Sequence, residues 1–108
     1  MIIGNGLIAN AFYPLYKDDA KVLIFASGVS NSLCEDKYEF DREKEILLKH
    51  LDQAKDVKFF IYFSTVSIQD PSLRNSFYVR HKSRMEFLVL QHNRPYIIRL
   101  PQIASKNK

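Results

Sequence analysis

An α/β fold, with a parallel sheet of about four strands between layers of helices, is predicted by three observations. Short apolar runs alternate with stretches of helical periodicity along the chain. One run, Val22-Leu23-Ile24-Phe25-Ala26, is apolar at every position, as strands buried on both faces are. A pair of glycines, Gly4 and Gly6, joins the first apolar run directly to the first helical stretch. Strands that alternate with helices pair in parallel through right-handed crossovers, which gives three layers.

Met1 to Ile3 is a short strand stub. Gly6 to Tyr16 reads as a helix, with Leu7, Ile8, Ala11, Phe12 and Leu15 at helical offsets. The strand within Lys21 to Ala26 ends at Ser27-Gly28, and Val29 to Lys37 reads as a loop. From Tyr38 to Lys55, residues Leu47, Leu51 and Ala54 share one face among Glu and Lys, which predicts a second helix with a charged outer side. Val57 to Thr65 is the third strand, and Asp70-Pro71-Ser72 breaks the chain after it. Phe77 to about His92 reads as the third helix, stopped by Asn93-Arg94-Pro95, and Tyr96 to Leu100 as the last strand. The tail 105–108 has nothing apolar to dock and is expected to fray.

At 108 residues, with 46% hydrophobic and 26% charged content, the chain suits one domain, over residues 1–104, and leaves no room for a second. Such a size buries only somewhat over ~60% of the unfolded surface, so a missing edge strand would matter. With neither a basic leader nor ~18 consecutive apolar residues, a cytoplasmic protein without a membrane partner is expected. The single cysteine, Cys34, cannot form an internal bridge, and His50, His81 and His92 lack metal-ligand spacing, so no metal is expected. A net charge of +4 favours anionic partners. The densest basic stretch, Arg80-His81-Lys82-Ser83-Arg84, reads as a solvated helix face rather than a nucleic-acid surface, because no aromatic-basic stripe accompanies it.

Two motifs could carry chemistry. Gly4-Asn5-Gly6-Leu7-Ile8-Ala9 fits G-x-G-x-x-G/A between a strand and a helix. Gly4 allows a tight turn, Gly6 lets a pyrophosphate approach the backbone, and Ala9 lets helix pack on strand. A phosphate there would meet free amides and the positive end of the helix dipole. The alternative is a glycine turn that serves packing alone. Tyr78 and Lys82 stand four residues apart on one face of the third helix, where a cation lowers the pKa of a phenol and makes it a usable acid or base. The alternative here is an exposed helical pair.

The order of these features, with Ala26-Ser27-Gly28 ending one strand, Phe63-Ser64-Thr65 ending the next, and Ile98-Arg99-Leu100-Pro101 closing the last, resembles one family. From Met1 to about Ala104 the chain resembles the extended branch of the short-chain dehydrogenase/reductase superfamily, the nucleoside-diphosphate-sugar epimerases and dehydratases. The resemblance implies a Rossmann-like domain that takes NAD or NADP. Gly4, Gly6, Leu7, Ile8 and Ala9 would form the diphosphate turn, and Ala26, Ser27 and Gly28 would line the adenosine and ribose side. Thr65, with Ser64 before it, would hydrogen-bond the reacting hydroxyl or carbonyl. Tyr78 would be the proton-transferring base. Lys82 would hold the nicotinamide ribose and lower the Tyr78 pKa, and Arg99 to Gln102, including Leu100 and Pro101, would run beside the nicotinamide. Together these imply hydride transfer on a sugar nucleotide, as in surface-polysaccharide precursor synthesis, and a homodimer through the helices at 39–55 and 77–92.

The chain departs from the family in three places. The first helix leads straight to what resembles the fourth family strand, so the second and third strands are missing. With them goes the acid expected roughly 20 positions after the glycines to hold the adenosine ribose. Another registration makes Val22 to Ala26 the second strand and puts Ser27 at its tip, which suits a 2′-phosphate. Secondly, Thr65 and Tyr78 are only 13 residues apart, and Val66 and Ser67 stand where dehydratases have Asp and Glu, so oxidoreduction or epimerisation fits better than dehydration. Thirdly, no substrate-binding half follows Pro101. These departures equally suit a noncatalytic binding or assembly module.

Other polar residues read more simply. Asp18 and Asp19 are turn residues, Glu86 is a helical salt-bridge partner of Lys82, His81 is exposed beside Tyr78, and Cys34 lies in a loop without a neighbouring base. The short Met1-Ile2-Ile3 strand is expected to leave an unpaired sheet edge.

Overall fold

The computed structural model describes residues 1–4, 6–29 and 33–101 and has an α/β fold with four parallel strands in the order β1-β2-β3-β4, flanked by helices. The strands are β1 (Ile2–Ile3), β2 (Val22–Phe25), β3 (Phe59–Thr65) and β4 (Pro95–Leu100). Between them in turn lie α1 (Leu7–Tyr16), α2 (Lys37–Gln53) and α3 (Phe77–Val89). This architecture is compatible with a Rossmann-like fold. No helix among the described residues is long and apolar enough to cross a membrane. The tail 105–108 lies outside the described residues.

Element ends differ from expectation where local hydrogen bonds decide them. The loop before α2 stops short of Lys37, because the Asp36 side chain accepts from the Tyr38 amide at 2.9 Å and caps the helix there. The third helix ends at Val89 rather than His92, since its last amides switch to i→i+3 bonds, Gln91 to Leu88 and His92 to Val89. The break around Asp70-Pro71-Ser72 is two 3₁₀ turns, Val66–Gln69 and Pro71–Leu73, capped by the Thr65 and Asp70 side chains.

Side chains alternate across each strand, and the register sorts them onto two faces. One face carries Ile3, Leu23, Phe25, Phe60, Tyr62 and Ile97, which pack with Leu47 and Ala54 beneath α2 and with Met85 and Val89 of α3. The other carries Val22, Ile24, Phe59, Ile61, Phe63, Tyr96 and Ile98. The ring of Phe12 in α1 stacks on Phe63 at 5.8 Å, so α1 covers this second face.

That placement has a topological consequence. Each strand lies next to its predecessor and all run parallel, so crossovers of one hand would put all three helices on one face. With α1 opposite α2 and α3, the β1–α1–β2 connection has the opposite hand from the two that follow. The expectation of right-handed crossovers throughout therefore fails. With α2 and α3 in the right-handed sense that nearly all such units take, the α1 connection is left-handed.

The connection is tied down at its ends. The Met1 ammonium donates to the carbonyl oxygens of Tyr16, Asp19 and Val22 at 2.7, 2.8 and 2.9 Å, which brings the carboxyl end of α1 back to the start of the sheet. Tyr16 O is at the negative end of the helix dipole, where a cation is favoured.

Candidate functional site

All four strands point their carboxyl ends to one edge of the sheet, the edge at which open α/β sheets bind ligands. Just beyond β1, Gly4 has φ +123°, and a Cβ there would meet the Ala26 carbonyl oxygen at 2.6 Å. Glycine is therefore required by the backbone and by its close approach to the segment after β2. Gly6 is different. It is the N-cap of α1 at φ −86°, which any residue can adopt, and a Cβ would meet nothing within 4 Å. No side chain among the described residues caps this helix, and its first turn, which includes Leu7 and Ile8, holds no acid. Asn5 lies outside the described residues.

Ala26 follows β2 and donates its amide to Ile3 O at 2.8 Å. Two residues on, Gly28 packs on an ion pair: a Cβ there would meet Lys82 Nζ at 2.7 Å and Glu43 Oε2 at 2.9 Å. The first strand-end segment is thus held to the second by Gly4, and the second to α2 and α3 by Gly28.

Lys82 is only 2% exposed and Tyr78 is buried as well, so the pair is not the exposed one that the basic stretch suggested. The solvated face of that stretch is formed by Arg80, Ser83 and Arg84 alone. The Lys82 ammonium lies 5.8 Å from the centre of the Tyr78 ring, and the Tyr78 phenol interacts with the Thr65 hydroxyl. Thr65, Tyr78 and Lys82 are therefore brought together, one from the end of β3 and two from the first turns of α3. Thr65 Oγ1 also accepts from the Ser67 amide at 3.1 Å. Ser64, on the other side of the strand, is buried, and its hydroxyl has no hydrogen-bond partner among the described residues.

The group that organises this region is Glu43, which is fully buried on α2. Its Oε1 accepts from the Val29 amide at 2.8 Å, and His81 Nε2 lies 2.9 Å from the same oxygen. Lys82 Nζ donates to both carboxylate oxygens and to the Tyr62 hydroxyl, each at 3.2 Å, and Tyr62 donates to Oε2. Burial alone would raise the Glu43 pKa, but His81, Lys82, Tyr62 and the Val29 amide outweigh it and hold the carboxyl down to about 2. Lys82 is lowered by burial and held in its charged form by Glu43. Tyr62 is pushed well above the ordinary phenol range, first by burial and then by Glu43.

Glu43 also changes what Tyr78 can do. The Tyr78 pKa is raised, by burial and then by the Glu43 charge, and the Thr65 hydrogen bond opposes this only in part. The expectation that Lys82 lowers it fails, because the Lys82 charge is already balanced by a carboxylate in contact with it. Tyr78 accordingly holds its proton at neutral pH and is placed to donate one. Beside it opens a cleft of about 460 Å³, whose walls include Ser67, Asn75, Ser76 and Cys34.

Two further expectations are corrected. His81 is buried, bonded to Glu43 and stacked on Phe40 at 4.5 Å, rather than exposed beside Tyr78. Glu86 does not pair with Lys82. It takes Arg99 side-on, Nε to Oε2 at 2.9 Å and Nη2 to Oε1 at 2.8 Å, which ties β4 to α3. Leu100 is in register with Thr65, Pro101 is exposed just past β4, and Gln102 lies outside the described residues.

Sequence reasoning missed Glu43, although a signal for it was present. Glu43 continues the stripe of Leu47, Leu51 and Ala54 by one helical turn, and a carboxylate on an apolar stripe needs a buried cation. Tyr62 has the same signature, a hydroxyl on the inward side of a central strand. No family model, curated protein or solved structure matches this chain.

Proposed function

We propose that this chain is a nucleotide-binding domain of the NAD(P)-dependent oxidoreductase and epimerase type, acting on a sugar nucleotide, with Tyr78 as proton donor. The observation that carries this reading is the meeting of Thr65, Tyr78 and Lys82 at the carboxyl edge of the sheet, above a cleft. The side on which α1 lies supports it independently. A doubly wound sheet has strand order 3-2-1-4-5-6 and sends the first helix to the face opposite the helices that follow its fourth and fifth strands. Removing its second and third strands leaves 1-4-5-6, with the first helix where α1 is and a connection of the opposite hand. Registration of Val22 to Phe25 as the second family strand would instead put α1 with α2 and α3.

The residues present fit the diphosphate half of a dinucleotide. Among the described residues the first turn of α1 has no side-chain cap, and Gly6 leaves open space before it without any backbone need to be glycine. They do not fit a nicotinamide ribose on Lys82, whose three N–H bonds already go to Glu43 and Tyr62. A bound nicotinamide would supply hydride. The chain itself supplies a proton from Tyr78, oriented by Thr65, to an oxygen of a sugar in the cleft.

That same engagement of Lys82 favours a second reading, a noncatalytic binding or assembly module that keeps the inherited fold. Calorimetric titration with NAD and NADP separates the two. Binding that Gly6→Ala weakens, and turnover of a sugar nucleotide that Tyr78→Phe abolishes, are expected from the first. A chain that binds neither dinucleotide at millimolar concentration leaves only the second.

A further inference from the structure

We infer that the α1 face of the sheet is a self-complementary docking surface whose partner is a second copy of this chain. The surface is a step. Over β1, β2 and the Phe63 end of β3, where Phe12 lies, it rises by the thickness of a helix, about 10 Å, and over the Phe59 end of β3 and over β4 it drops to the sheet. On the raised part, Leu7, Ala11 and Leu15 recur every four residues along α1, with Leu7 76% and Leu15 75% exposed. On the lowered part, Phe59, Tyr96 and Ile98 are exposed side by side.

Charge is confined to the ends of the two parts, with Lys17 over the Tyr13 ring and Arg94 just before β4. No charged side chain occurs before Lys17, and the α1-side residues of β3 and β4 from Phe59 to Phe63 and from Tyr96 to Ile98 are apolar. Asn10 is the one amide in α1 and no charged residue lies within it, yet Ala9 is its only buried residue. Parallel sheets are normally covered on both faces, and on this one Phe59, Tyr96 and Ile98 remain exposed. The outer side of α2 differs in carrying Lys, Arg, Asp and Glu, whereas that of α3 sets Phe77, Phe87 and Leu90 beside Arg80 and Arg84.

The step selects the occupant. A foreign helix laid over β3 and β4 would cover the recess but leave the outer stripe of α1 in water. A second copy related by a two-fold axis covers both at once: each α1 enters the recess of the other copy, and two helices lie side by side between two sheets. At their observed exposures the five large side chains supply on the order of 500 Å² per copy, about 1,000 Å² for the pair, which reaches the size of a specific interface. The dimer differs from one through the helices at 39–55 and 77–92, which would leave this face uncovered.

Sedimentation velocity of the full chain over a concentration series tests the inference. A dimer is expected, and Leu15→Lys and Ile98→Glu should each weaken self-association by at least about tenfold while the far-ultraviolet circular dichroism is kept. Mixing the two variants in equal amounts should restore a dimer, because one contact then sets Lys against Glu and the other is native. Leu15 is so exposed that its variant remains a fair test should Ile98→Glu fail to fold. A folded wild-type monomer at the highest concentrations would overturn the inference. So would a dimer indifferent to both substitutions, or one broken by Phe87→Lys on the outer side of α3.

Discussion

On the α2–α3 side of the sheet a carboxylate, an ammonium, an imidazole and a phenol are buried together, and every one of them has a partner. On the α1 side neither α1 nor the strand residues that face it carry a charged side chain, and Phe59, Tyr96 and Ile98 are exposed. The first side is closed and specified by polar contacts that accept only one arrangement. The second is held by apolar contact alone and can be completed by another molecule. The difference teaches where this fold has committed its stability and where it has left surface to spare, and substitutions on the two sides should differ accordingly.

The largest effect is expected from Glu43→Gln. It leaves Lys82 buried without its counter-charge, and breaking such a pair costs about 3–5 kcal/mol. Denaturant unfolding checks this. Adding Lys82→Met to Glu43→Gln should recover part of the loss, because the uncompensated charge is then gone. A single variant as stable as the wild type would mean that the cluster is not the lock on this side.

Acid should act through the same carboxylate. The Glu43 pKa in the folded chain is depressed from 4.5 to about 2, so its contribution to stability is fully present above pH 4.5 and is lost as pH falls through about 2. The shift corresponds to something on the order of 3 kcal/mol. Thermal unfolding followed from pH 6 downward should show Tm falling across that window, and Glu43→Gln should flatten the fall. Nothing comparable is expected from α1, which holds no carboxylate.

The contrast also explains what was legible in the sequence. The alternating order of strands and helices follows from hydrophobic periodicity, which is a local property, and the apolar run Val22 to Phe25 was visible as a strand buried on both faces for that reason. The side on which α1 packs was not legible, because the hand of a connection is fixed by the strands it joins rather than by the helix itself. Thr65, Tyr78 and Lys82 could be picked out by spacing and order. The sign of the Tyr78 shift could not, since it depends on Glu43, 35 residues away in the chain and in contact only through the fold. Likewise His81 and Glu86 were assigned from helical neighbours, whereas their partners come from α2 and β4.

The two glycines that differ most in surroundings sharpen the comparison at small cost. Gly28→Ala on the α2–α3 side places a methyl within 2.7 Å of Lys82 Nζ and 2.9 Å of Glu43 Oε2. The ammonium can shift but the carboxylate is pinned by the Val29 amide and His81, so a loss of about 1–3 kcal/mol is expected. Unfolding measurements on this variant that matched the wild type would show the cluster to be looser than its contacts imply.

Gly6→Ala should have the smallest effect on folding. The residue has an ordinary φ, its Cβ would enter open space, and the change is expected to stay within about 0.5 kcal/mol. A glycine that the backbone does not need, at the start of a helix that no described side chain caps, is explained if something else must come close to it. On that account the same substitution that leaves Tm unchanged should weaken dinucleotide binding, because the new methyl would stand between the phosphate oxygens and the amides of Leu7 and Ile8. A variant with unchanged stability and unchanged binding would return Gly6 to the role of a plain turn residue and remove the diphosphate from the α1 side of the molecule.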